Sequence, residues 1–186
     1  LILGLLLFLG VHSVRIVADD WRSEQIARFG ENRWKLTYSL ASLVGLMVLI
    51  WGYGMTRSDP VFLWHPPLWT RHLVGLLMIP AFILLAAAYV PNNRIKATLG
   101  HPMILGVKVW ALGHLLANGR LGDVVLFGAF LVWAVLDFRA ARRRPAGPAV
   151  SGALPGDIAT VAVGLLAWAA FAFYLHAWLI GVPLFA

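Results

Sequence analysis

The chain has 186 residues, 61% hydrophobic and 12% charged, against about 45–50% and about 25% in an ordinary soluble domain, which is the composition of a membrane protein. The absence of cysteine excludes disulfides, thiolate nucleophiles, Cys-ligated zinc and iron–sulfur clusters. The formal charge of +7 sits between apolar runs rather than among aromatics on a solvated domain, so it reads as a topology signal and not as a nucleic-acid surface.

A transmembrane helix needs about 20 apolar residues, and six stretches approach that length: 1–18, 36–55, 72–90, 102–117, 121–136 and 158–182. They predict an all-α, polytopic helical bundle of about six transmembrane helices, a single domain over 1–186 with no soluble module. The first stretch lacks a basic leading region and a small-residue cleavage site, so it reads as a span rather than a signal peptide. It carries His12 and Arg15. The third opens beside Arg71 and His72. The fourth contains Lys108, Trp110 and His114, and Asn118-Gly119-Arg120 predicts a tight hairpin turn into the fifth. After it, RRRPAGPAVSGALPGD reads as a flexible linker near anionic headgroups, with Asp157 as the N-cap of the last span. That span carries His176.

Lysine and arginine crowd the first, third and fifth connections, from Arg15 to Lys35, at Arg94 and Lys96, and from Arg139 to Arg144. The opposite side has Arg57, Arg71 and Arg120 only. The positive-inside rule makes the first group cytoplasmic and both termini external, periplasmic for a bacterial inner-membrane protein.

Ionisable groups in hydrocarbon cost several kcal/mol unless they face the bundle and find a partner. Here they are His12, Arg15, His72, Lys108, His114 and His176, with His101 and Asp137 near helix ends. On one helix His101 and Lys108 lie about 20° apart, whereas His114 lies about 220° and ~20 Å from His101, so one metal cannot take both histidines. Trp110 shares the face of His114. His65 reads as interfacial, His72 as a snorkelling boundary residue, His101 as a helix-start residue and His176 as an interhelical hydrogen-bonding group. For His12 and His114, interhelical bonding and function stay open. Neutral imidazoles in a dry bundle suit haem iron. No HExxH or GxSxG is present, which disfavours zinc-protease and serine-hydrolase chemistry. With spans centred in the bilayer, His12 falls ~5 Å to the cytoplasmic side and His114 ~7 Å to the outer side, and His72 and His176 come closer to the depth of His114.

The segments FLGVHSVR, PAFILLAAAYVPNNRIK, HPMILGVKVWALGHLLANG, FLVWAVLDFRAARRR and LHAWLIGV, in that order, resemble the NnrU family of bacterial inner-membrane proteins over essentially the whole chain. The resemblance implies an association with denitrification. It extends to the 15-cis-zeta-carotene isomerases, membrane enzymes that use haem b to isomerise a cis double bond of a carotenoid. Carried over position by position, the isomerase axial ligands match His12 and His114, and the motif tryptophan matches Trp110. Gly100, Gly113 and Val14 depart from the isomerase pattern. The implied function is a haem b protein, either isomerising a lipid-soluble polyene or acting without catalysis in nitric oxide sensing, electron transfer or reductase assembly. Arg15 and Lys108 are then candidate propionate partners, Lys108 having as its alternative a reach to Asp137 at the cytoplasmic end of the fifth span, and His176 is the reserve ligand. HPMILG is also similar to a segment of membrane S-adenosylmethionine-dependent methyltransferases, a lesser alternative.

Overall fold

The computed structural model describes residues 1–144 and 151–184; of the flexible linker expected over 142–157, residues 145–150 lie outside the described residues, while 142–143 close one helix and 154–157 already form the first turn of the next. Every apolar run is helical: α1 (Ile2–Val17), α3 (Glu31–Thr56), α4 (Leu68–Tyr89), α6 (Pro102–Ala117), α7 (Leu121–Arg143) and α8 (Leu154–Ala170). Two polar helices, α2 (Asp19–Phe29) and α5 (Arg94–Leu99), join them, and a π turn (Phe171–Leu175) leads from α8 into α9 (His176–Ile180).

The expected count of about six crossings needs qualification. Four segments are long and apolar enough to cross unaided: Glu31–Thr56, Leu68–Tyr89, Leu121–Arg143 and Leu154–Ile180. α1 bends by 94° into α2, because Ala18 leaves helical geometry at φ −145; counted together the bent pair makes a fifth. At 16 residues each, α1 and α6 are about 24 Å long, less than the roughly 30 Å hydrocarbon core.

The six apolar helices nevertheless alternate in direction. α1 and α3 are antiparallel and close: a Cβ at Gly45 would stand 2.8 Å from the Phe8 nitrogen, and one at Gly4 would collide with the Leu49 backbone. Gly106 and Gly113 of α6 meet Ala81 and Met78 of α4, and Gly164 of α8 meets Ile83 of α4. α1 runs parallel to α7, with Phe8 beside Phe130 and His12 beside Trp133. Small residues let backbones approach where lipid supplies no hydrophobic drive. Neighbours follow the order α3, α1, α7, α6, α4, α8, a horseshoe whose two tips are tied by Arg57 Nη1 donating to the Ile180 carbonyl at 2.6 Å.

Alternation gathers the connections at two ends. The basic end holds α2, α5 and the C-terminus of α7, with the arginine and lysine clusters noted above. The loop end holds the 57–67 segment, which is zipped onto the hairpin turn. There Leu63 N–H donates to the Gly119 carbonyl (2.8 Å) and Leu121 N–H to the Val61 carbonyl (2.8 Å). Asp157 is not an N-cap, since α8 begins three residues earlier with Ala153 in that position. Its carboxylate instead accepts from the backbone N–H (2.6 Å) and Nε (2.5 Å) of Arg94, stitching α5 to α8.

Candidate functional site

A cavity of about 790 Å³ opens between α4, α6, α7 and the α8–α9 segment toward the loop end. Its deep wall is apolar, with Met78, Ala81, Phe82, Leu85, Val107 and Trp168; its loop-end wall carries His65, Arg71, Asn118, Arg120 and Asp123. Both His114 and His176 line it, as does Trp110.

His114 stands one turn after Trp110, so its Nδ1 reaches the Trp110 carbonyl at 2.8 Å, and its ring lies 4.6 Å from that of Phe127. His176 begins α9 directly after the π turn, and its Nδ1 reaches the Val182 carbonyl at 2.6 Å. A carbonyl only accepts, so each Nδ1 carries the proton and each Nε2 keeps its lone pair. Neither Nε2 has a hydrogen-bond partner among the described residues. Trp168 Nε1 donates to the Gly75 carbonyl (3.0 Å), fixing the indole as a wall between α8 and α4.

The other sequence candidates lie elsewhere. His12 does not line the cavity; its Nδ1 donates to the Phe8 carbonyl (2.7 Å), and its ring packs on Phe8, Tyr38 and Trp133. Trp133 and Phe127, the α7 neighbours of His12 and His114, are six residues apart, about 9 Å along the helix, with Trp110 and Phe130 between. The structure therefore places His114 and His176 on the wall of one cavity and His12 outside it. His72 is exposed on α4, and His101 lies at the basic end against Phe138. Arg15 stays at that end, 3.9 Å from Asp19. Lys108 does not reach Asp137: its Nζ sits 3.8 Å over the Phe138 ring, while Asp137 faces Arg144 at 3.7 Å. Neither cation touches the cavity, so their expected role beside a cofactor there has no geometry behind it.

Asp123 is a wall residue that no sequence motif singles out. It is 1% exposed and accepts from Tyr53 Oη (2.6 Å) and from Arg120 Nε (2.9 Å), tying α3 to α7 on the cavity wall. An acidic residue three positions into a helix is ordinary, so nothing in its sequence setting marked it.

An all-α polytopic membrane bundle with a cavity lined by His114 and His176 is the class that these features define. Within it the chain belongs to the NnrU family: the family model described as NnrU protein matches residues 1–184, nearly the whole length. No curated protein and no solved structure matches the chain.

Proposed function

We propose that the chain is a haem b membrane protein that takes the iron between His114 and His176. The observation that supports this most is the presence of two imidazoles on one largely apolar cavity, each with Nδ1 committed to a backbone carbonyl and Nε2 left as a ligand nitrogen. Such carbonyl partners fix the tautomer and raise ligand basicity. No group of three or more His, Asp or Glu among the described residues is spaced to hold a bare ion, whereas two imidazoles suffice for iron carried in a macrocycle. His114 and His176 would hold the iron from the cavity wall; the aromatic rings of Trp110 and Phe130 between His12 and His114 argue against His12 as the partner.

Bound haem would supply a redox-active Lewis-acidic iron. The chain supplies the rest. Trp110 and Phe127 hold the His114 ring, and Met78, Ala81, Phe82 and Leu85 keep the deep wall free of polar groups. In this reading the substrate is a lipid-soluble polyene whose cis double bond is isomerised, in keeping with the sequence resemblance and the apolar wall. Non-catalytic electron transfer is the second reading, favoured by the same imidazole pair, because iron held by two histidines could pass electrons without taking up a substrate; nitric oxide sensing would need one of the two histidines to let go. The basic end faces the cytoplasm of a bacterial inner membrane, and the cavity mouth faces the periplasm.

The test is the absorption spectrum of purified protein expressed with ample haem. A Soret band is expected in wild type, lost or shifted in His114→Ala and His176→Ala, and kept in His12→Ala. Wild type purified without haem sinks the proposal, and loss in His12→Ala with retention in His176→Ala moves the second ligand to His12. Conversion of a 15-cis polyene in vesicles separates the enzyme from the non-catalytic reading.

A further inference from the structure

The cavity is polarised along its length, apolar at depth and cationic at its mouth. Three arginines gather at the loop end and two are committed. Arg120 pairs with Asp123 at 2.9 Å, and Arg57 grips the Ile180 carbonyl. Arg71 lines the cavity but makes no hydrogen bond or ion pair among the described residues. The one carboxylate on the wall among the described residues, Asp123, is already shared between Tyr53 and Arg120, so the positive charge of Arg71 is unmatched there.

Its position is informative. Val74, one turn after Arg71 on α4, faces Gly113, the residue before His114. Arg71 therefore sits about one helical turn, ~5 Å, nearer the mouth than His114. A neutral polyene has nothing to offer a guanidinium there, whereas a planar ligand with carboxylates on one edge satisfies it and lays its apolar edge against Met78 and Phe82. Arginine binds carboxylate through paired, charge-assisted hydrogen bonds.

We propose that Arg71 is the carboxylate anchor of the cavity, recognising the propionate edge of haem and so fixing which way round the macrocycle enters. The proposal rests on the haem reading and deepens it. Arg71 is a binding and orienting residue, and its role is measurable without any turnover.

Full-length protein freed of haem, in nanodiscs, is titrated with haem and with haem dimethyl ester, whose propionates are blocked. Wild type is expected to bind haem about tenfold more tightly than the ester, the scale of one charge-assisted interaction. Arg71→Gln is expected to bind both alike at the ester's affinity with the Soret position unchanged, Arg71→Lys to fall between, and Arg28→Gln at the basic end to match wild type. The ester comparison in wild type needs no variant and stands even if Arg71→Gln misfolds. Equal binding of haem and ester by wild type, or full discrimination retained in Arg71→Gln, overturns the anchor while leaving the haem reading intact. Wild type that binds neither compound overturns both.

Discussion

Asp123 is the residue on which two helices and one cavity wall converge. Removing its carboxylate leaves Arg120 without its ion pair and the Tyr53 hydroxyl without its acceptor. Breaking a buried pair in this way costs about 3–5 kcal/mol; Arg120 keeps some solvent access, which favours the lower end. Tyr53→Phe deletes one hydrogen bond and leaves a carboxylate that still has Arg120, so about 1–3 kcal/mol is expected. Thermal unfolding in detergent should rank wild type above Tyr53→Phe and Tyr53→Phe above Asp123→Ala; equal midpoints would remove the clamp from the account. The histidines show how far side-chain type alone carries. Their cost in lipid marked His12, His114 and His176 together, but which two share a cavity depends on the helix order around α7, and no local spacing encodes that.

Helix ends and helix contacts make their own demands. A Cβ at Gly164 would stand 2.6 Å from the Ile83 Cα, a backbone atom that cannot step aside. Gly164→Val should therefore push α8 off α4 and lower the unfolding midpoint, while Gly128→Ala, with open space at its Cβ, should leave it unchanged or slightly raised. The π turn offers a sharper test. One residue inserted into α-helical register turns everything after it by about 100°, so deleting the exposed Tyr174 from this segment should swing His176 away from the cavity. Under the proposed ligation, loss or shift of the Soret band in protein that still folds is the expected result; an unchanged spectrum would make the turn irrelevant to ligation. The apolar runs announced all six helices because burying a continuous hydrophobic surface in lipid is a local property. The bend at Ala18, the early start of α8 and the π turn were not announced, since each is settled by packing against another part of the chain. Asp157 illustrates this: its place near a helix start suggested a cap, and Arg94, 63 residues away, claims the carboxylate instead.

For the whole molecule, the charge asymmetry read along the sequence coincides with a physical end of the bundle, since the alternating helices deliver α2, α5 and the end of α7 to one side. A chain without cysteine makes the sidedness simple to measure. Asp59→Cys, in the loop-end segment, should react with a membrane-impermeant maleimide in intact spheroplasts, and Arg28→Cys, on α2, only after permeabilisation. The reverse pattern would invert the assignment and put the cavity mouth in the cytoplasm. The tips of the horseshoe are joined where the guanidinium of Arg57 holds a peptide oxygen rather than a side chain. That oxygen is present whatever amino acid stands at position 180, so substitutions there leave the acceptor untouched. The latch has one genetically adjustable half: a change at position 57 can release the tips of the arc, whereas a change at position 180, whose side chain lines the cavity, alters the cavity wall and leaves the acceptor in place.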